Sequence, residues 1–303
     1  MSPVAAPITS SPVDRDAYPT ALRDAVDAYL ADLRFSTEPM TVGLAQAMRY
    51  SLLAGGKRVR PVLVLATARV LGIDHREVLP LAAAIELIHT FSLIHDDLPA
   101  MDDDEMRRGR PTNHRVFGEG VAILAGDALF AEAFSLLLSR LKAPADRVLR
   151  AAVVIARALA TDGVAGGQYV DLTGGAVDRD GVLRLHRLKT GALLQASVES
   201  VIELARATAK TGASLASYAA DLGLMFQAID DVLDVQGSSA QTGKDLGGDE
   251  RNGRRTLVVD GETAAAVAVA DGCLQRILHR LTSIDADTSE LRAVAEYVRH
   301  RVA

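Results

Sequence analysis

Tryptophan is absent from this 303-residue chain, aromatic residues make up only 4% of it, and it has a single cysteine. Cys273 alone excludes an internal disulfide, so a stapled secreted scaffold is ruled out and a reducing, cytoplasmic location is expected. The thiol itself reads as a small buried apolar group. No cationic surplus exists either: 33 Lys and Arg face 39 Asp and Glu, for a formal charge of -6, and the basic residues are scattered. Nucleic acid is therefore not an expected partner. No uninterrupted apolar run approaches the ~20 residues of a bilayer span, so no stable membrane insertion is expected. The first sixteen residues lack a basic start leading into an apolar stretch. Their three prolines and small side chains read as a flexible tail rather than a signal peptide.

What is present is apolar periodicity. With 49% hydrophobic residues the chain can bury a sizeable core, and residues 17–303 read as one domain. Apolar residues recur at three- and four-residue spacing through Ala21 to Leu33, Val42 to Leu53, Val59 to Leu71, Val78 to Ile94, Val121 to Leu141, Val148 to Ala160, Leu193 to Ala207, Leu215 to Leu233, Glu262 to Leu281 and Leu291 to Val302. Alternating strand patterns are almost missing, and alanine dominates, so the fold class is all-α. Gly55-Gly56, Gly109-Arg110-Pro111, Gly166-Gly167 and Gly174-Gly175 read as punctuation between helices. The longest gap, about Gln236 to Arg255, holds five glycines and mixed charge. It reads as a mobile lid.

Two acidic clusters break the apolar pattern. Asp96-Asp97-Leu98-Pro99-Ala100-Met101-Asp102 is answered 134 residues later by Asp230-Asp231-Val232-Leu233-Asp234. Carboxylates a few ångströms apart repel by ~3 kcal/mol per pair at an effective dielectric near 20, so a cation must lie between them. Oxygen donors without cysteine or histidine point to Mg2+, which binds through a few carboxylates plus substrate phosphates. Asp230, Asp231 and Asp234 share a helix face; a solvated acidic face is disfavoured because Met225, Phe226, Val232 and Leu233 surround them. Pro99 ends the helix that carries Asp96, so Asp96 and Asp102 approach from a helix end and the loop after it.

The cations complete a diphosphate site. Only five lysines accompany 28 arginines, and Lys57, Lys189 and Lys244 lie in Gly-rich or polar junctions. Lys57, Arg58 and Arg60 suit a multiply charged anion, although a charged helix start is the plainer reading of such a run. Arg107 and Arg108 follow the first cluster as phosphate clamps or simple counterions. His89 lies two turns before Asp96 on nearly the same face, placed to hydrogen-bond an anion; His95 and His114 read as structural.

These motifs resemble the trans-isoprenyl diphosphate synthases (the polyprenyl synthetase family), in particular bacterial farnesyl and geranylgeranyl diphosphate synthases. Gly55-Gly56-Lys57-Arg58-Val59-Arg60-Pro61 is similar to the family's isopentenyl diphosphate motif. Ser92 to Asp102 is similar to its first aspartate-rich motif in the longer form. Arg107-Arg108-Gly109-Arg110-Pro111-Thr112, Gly166-Gly167-Gln168, Lys189-Thr190-Gly191 and Gln227 to Asp234 follow in the family's order. The resemblance implies a helical bundle of the isoprenoid synthase type around a deep cavity, normally a homodimer. It implies a prenyltransferase that joins isopentenyl diphosphate head-to-tail to an allylic diphosphate. Lys57, Arg60, His89 and Arg108 would bind isopentenyl diphosphate, and Arg107, Lys189, Thr190, Gln227 and Lys244 the allylic diphosphate. Asp96, Asp97, Asp102, Asp230, Asp231 and Asp234 would ligate three Mg2+ ions. Among these, Asp96, Asp97, Asp102, Arg107, Lys189, Thr190 and Asp230 are the expected catalytic set.

Product length is expected to depend on Phe91 and Ser92, about one turn before Asp96. The aromatic at Phe91, with the longer first motif, is similar to farnesyl synthases, so a fifteen-carbon product is expected over the twenty-carbon alternative. A class I terpene cyclase is disfavoured because the second motif is all aspartate and because Lys57, Arg60 and His89 serve a second diphosphate. A non-catalytic subunit is disfavoured because both clusters are intact. Two departures stand out. Gly253-Arg254-Arg255-Thr256-Leu257-Val258 carries arginine where the family usually has lysine, and the tail Arg299-His300-Arg301-Val302-Ala303 is basic but diverged.

Overall fold

The computed structural model describes residues 18–175, 178–236, 256–258 and 262–302. The flexible tail expected over residues 1–16, nearly all of the lid expected after Gln236, and Lys244 lie outside them. The described chain is all-α, as expected. Its helices are α1 (Thr20–Asp32), α2 (Val42–Leu52), α3 (Val59–Val70), α4 (Leu79–Asp96), α5 (Asn113–Phe117), α6 (Glu119–Arg140), α7 (Ala145–Leu159), α8 (Val164–Thr173), α9 (Arg179–His186), α10 (Ala192–Ala205), α11 (Ala209–Gln236), α12 (Ala264–Leu281) and α13 (Ser289–Arg299).

The centre of the bundle is α3 and α4. Both are apolar nearly all round, and a helix of that kind must be covered on every side; most of their side chains are buried, Val62 to Ala66 and Leu81 to Ile85 almost fully. Helix α4 packs along α6 and α3, α10 along α7 and α11, and α11 along α12. The close approach of α4 to α6 depends on Gly126, where any Cβ would overlap the His95 ring. His95 sets its Nε2 3.1 Å from the Ile123 carbonyl there, the structural role expected of it. The last turn of α1 is closed by Arg49, which donates to the carbonyls of Leu33 and Ala31.

Two short strands, β1 (Met106–Arg107) and β2 (Arg110–Pro111), pair antiparallel. Their turn places both Arg108 and Gly109 at positive φ, 53° and 72°, the geometry whose twist suits a two-residue hairpin. The hairpin hangs the Arg107-Arg108 pair beside the end of α4.

One structural finding departs from the sequence expectation. Two segments, His75–Asp96 and Glu119–Arg140, are long and apolar enough to cross a membrane by length and composition. Counting uninterrupted apolar residues misses them because isolated polar groups punctuate both. Within the most apolar eighteen-residue stretch of each, 67% is buried in the first and only 39% in the second.

Candidate functional site

The first acidic cluster is built by the end of α4. The helix stops at Asp96, ahead of Pro99, and the loop folds back so that the Asp102 amide donates to the Asp96 carbonyl at 2.8 Å. Asp97 is only 3% exposed. Burial pushes its carboxyl up to about 7, against the pull of Arg107, whose Nε donates to Asp97 Oδ1 at 2.5 Å. Arg107 also donates to Asp104 at 2.8 Å.

The second cluster lies on the last turns of α11, and its members differ in ways the spacing does not show. Asp230 is half-buried and paired with Arg301 at 2.8 Å. Asp231 is buried and engaged on both oxygens: Oδ1 accepts from Gln227 Nε2 at 3.2 Å, and Oδ2 accepts from the Leu257 amide at 2.8 Å and lies 3.5 Å from His186 Nε2. Asp234 is 7% exposed, and its Oδ1 is buried without a hydrogen-bond partner among the described residues. An uncompensated buried carboxylate is costly, so this orphan oxygen and the burial-raised Asp97 fit the holding of a divalent cation. Among the described residues no three acidic, histidine or cysteine groups converge to hold an ion alone. The donor set therefore fits Mg2+ whose shell is completed by phosphate oxygens.

The cations gather around a different wall. Gly55 and Gly56, at φ 83° and 125°, take conformations open mainly to glycine. Arg108 lies over them, its Nη1 donating to the Gly55 carbonyl at 2.5 Å, and a Cβ at Gly56 would meet its guanidinium at 3.0 Å. Arg60 Nη1 lies 3.3 Å from His89 Nε2. Burial, then Arg60 and Arg108, hold His89 well below the usual histidine range, so it is a neutral hydrogen-bonding partner. Lys57 is exposed, with Nζ 5.4 Å from the Tyr297 ring. Arg60 and His89 thus meet, with Arg108 over the neighbouring glycines, whereas the Lys57 side chain is placed only against Tyr297. Arg58 does not join them: at 3% exposure it turns inward, bonded to Glu86 at 2.5 Å and Asp27 at 2.8 Å. The expectation that Arg58 joins Lys57 and Arg60 in facing an anion is corrected: with a left-handed backbone (φ 52°) its side chain is spent on Glu86 and Asp27 in the interior.

Lys189 and Thr190 lie on a π-turn, Arg187–Gly191, between α9 and α10. Lys189 donates to Asp171 at 2.5 Å, and Thr190 donates to Gln227 Oε1 at 2.7 Å, so Thr190, Gln227 and Asp231 form a hydrogen-bonded chain. Gly166 and Gly167, read from sequence as a break, lie inside α8. Gly167 packs against the backbone of Lys189 with no room for a side chain. Phe226 joins the two walls: the guanidinium of Arg60 lies 5.9 Å and that of Arg301 4.7 Å from its ring centre.

Sequence reasoning named Arg301 only within the basic tail and missed its pairing with Asp230, and it gave no site role to Phe226, Asp171, Glu86 and His186. The aromatic one turn before Asp230 was a usable signal for Phe226. The others depend on contacts across 18 to 71 positions. Below the first cluster, Phe91 meets Phe130 of α6 edge-on at 5.3 Å, and Phe130 meets Phe134 at 5.3 Å. Ser92 Oγ donates to the His89 carbonyl.

The polyprenyl synthetase profile matches residues 42–298. A farnesyl diphosphate synthase of Geobacillus stearothermophilus is 42% identical over 85% of this chain and 88% of its own length. A geranylgeranyl diphosphate synthase of Cyanophora paradoxa is 41% identical over 84% and 86%. Among solved structures, a geranylgeranyl pyrophosphate synthetase of Pyrococcus horikoshii superposes with a TM-score of 0.83 at 29% identity, covering 94% of this chain and 98% of its own. An FPP/GFPP synthase of Zymomonas mobilis does so with 0.81 at 33%, covering 92% and 96%.

Proposed function

Because the chain belongs to the polyprenyl synthetase family and is a short-chain trans-prenyltransferase, we propose that it makes fifteen-carbon farnesyl diphosphate from isopentenyl diphosphate and dimethylallyl or geranyl diphosphate. The carrying observation is the pair of distinct cationic and polar walls joined at Phe226, one of Arg60, His89 and Arg108, the other of Lys189, Thr190 and Gln227 beside Asp231. One diphosphate needs one wall; a condensation needs two.

Asp96, Asp97, Asp102, Asp230 and Asp234 would hold Mg2+, with Asp231 orienting Gln227 behind them. Magnesium bound there supplies charge that offsets the negative charge developing on the leaving diphosphate. Arg107 and Lys189 trade their carboxylate partners for phosphate oxygens and hold that diphosphate in place. Thr190 and Gln227 turn their oxygen dipoles toward the allylic carbon as its bond to oxygen breaks. Arg60, Arg108 and neutral His89 fix the second diphosphate so that its double bond lies against that carbon. The new carbon–carbon bond forms with loss of a proton, which the departed diphosphate accepts.

Purified protein incubated with Mg2+, labelled isopentenyl diphosphate and each allylic diphosphate in turn is expected to convert the five- and ten-carbon primers to the fifteen-carbon product and to leave farnesyl diphosphate unextended. A predominantly twenty-carbon product would assign the geranylgeranyl alternative.

We further propose a homodimer through α6 and α7. Val121, Ile123, Leu124, Phe130 and Leu138 on α6, and Leu149 and Val153 on α7, are all more than a third exposed. Large apolar side chains left exposed in this number on two helices favour a protein partner that covers them. Asp127 stands 62% exposed on the same helix, which suits a protein partner and penalises a bilayer. Sedimentation velocity should give a dimer for the native protein and a monomer for Leu124→Asp; a native monomer at micromolar concentration would remove the proposal.

A further inference from the structure

The loop between α2 and α3 has little to hold it in one conformation by itself. Gly55 and Gly56 stand at φ 83° and 125°, and Arg58 is left-handed at φ 52°, a conformation that costs any residue with a Cβ. Glycine leaves a backbone many alternatives, so Lys57, between these positions, keeps one place only if groups outside the loop grip it. Arg108 donates to the Gly55 carbonyl on one side. Beneath, Arg58 is fixed by Glu86, the Leu52 carbonyl and Asp27 of α1. The remaining grip is Tyr18, just ahead of α1, whose hydroxyl donates to the Lys57 carbonyl at 2.6 Å from 39 residues away.

Tyr18 is buried, and burial holds its hydroxyl well above the usual tyrosine range, so it remains a donor. Its ring packs 4.7 Å from that of Tyr297 on α13. The Lys57 ammonium stands 5.4 Å from the centre of the same Tyr297 ring, within the reach of a cation–π contact. One buried tyrosine therefore acts on both ends of Lys57, directly at the carbonyl and through Tyr297 at the ammonium. Tyr18 and Asp27 both lie ahead of residues 42–298, the span matched by the family profile, so the hold comes from outside that span. A lysine side chain loses much rotamer freedom when it settles on an anion, and holding it beforehand reduces that loss. We propose that Tyr18 is a positioning residue for isopentenyl diphosphate: it sets the Lys57 backbone from behind, so that the ammonium is presented over Tyr297 on the loop against which Arg108 lies. This rests on the reading given under Proposed function, with Lys57 serving that substrate.

Steady-state kinetics on the full chain, with isopentenyl and geranyl diphosphates varied separately, test it. Tyr18→Phe keeps the ring against Tyr297 and removes only the hydroxyl. It is expected to raise the KM for isopentenyl diphosphate about fivefold, the scale of one lost hydrogen bond, with kcat and the KM for geranyl diphosphate unchanged. Asp27→Asn loosens the same loop through Arg58 and should raise that KM about twofold, because Asp27 is half-exposed and Glu86 still holds the guanidinium. In a Lys57→Met background Tyr18→Phe should have no further effect, since residues that act through one another are not additive. A tyrosine that merely supports the fold lowers the melting temperature and leaves the KM for isopentenyl diphosphate in place, or moves both KM values together. Either result overturns the proposal, as does a full effect of Tyr18→Phe in the Lys57→Met background or a Lys57→Met enzyme with native KM. A native protein that condenses neither substrate pair removes the reading under Proposed function itself, and the role of Tyr18 with it.

Discussion

Replacing Asp234 with asparagine is expected to lower turnover by about 10²- to 10³-fold, the scale of losing one electrostatic group at a site of developing charge, while making the ligand-free protein more stable. The two effects have one cause. Asp234 is buried, and its Oδ1 has no hydrogen-bond partner among the described residues. A carboxylate in that position costs the fold more than it returns until a cation arrives. Asparagine keeps the shape and removes the charge, so urea unfolding without ligand should show a gain of about 1 kcal/mol. The stabilisation that Mg2+ plus pyrophosphate confers on the native protein should largely vanish in the variant. A variant that is less stable without ligand, yet still stabilised by Mg2+ and pyrophosphate, would show that Asp234 is a satisfied structural group.

Phe91→Ala should shift the product from fifteen carbons to twenty and beyond. Phe91 lies five residues before Asp96, about 7.5 Å down the helix axis, and its ring meets His95 at 5.0 Å and Phe130 at 5.3 Å, both edge-on. Removing the ring opens the seam between α4 and α6 down to Phe130, which becomes the next obstacle. Product length should therefore rise by one or two five-carbon units. Because Phe91 is only half-buried, the fold should lose about 1–2 kcal/mol, less than a fully buried phenylalanine costs. Chromatography of the dephosphorylated products decides the matter: an unchanged distribution places the floor elsewhere.

Much of the architecture was legible because long helices with a sustained apolar face leave a strong periodic signal. The ten segments that carry it match observed helices to within a few residues, apart from the start of α11, whose polar first turns carry no signal. What escaped was short or locally ambiguous. Helix α9 has eight residues and little apolar content, and α5 has five, too few for a period to show. The Gly166-Gly167 pair looked like a break, because a glycine kept for close backbone packing and a glycine kept for a turn are the same letter. Gly55 and Gly56, read the same way, do lie between helices, both at positive φ. The site followed a similar division. Asp96, Asp102, Asp230 and Asp234 were singled out as candidates from spacing alone, and the cations from their glycine-rich or polar surroundings. The inward turn of Arg58 and the pairing of Arg301 with Asp230 depend on contacts that no local pattern encodes.

The π-turn between α9 and α10 has an implication for how this chain tolerates change in length. A π-turn accommodates one extra residue in a helical path, so the two helices are out of phase, and the surplus falls where Lys189 and Thr190 stand. Deleting a single residue there would leave a smooth, uninterrupted helix, by local measures an improvement. It would also swing everything on one side by about 100°, turning the ammonium away from Asp171 and the hydroxyl away from Gln227. Catalytic competence in this stretch is thus stored as a phase offset, and a lineage that repaired the imperfection would lose the enzyme.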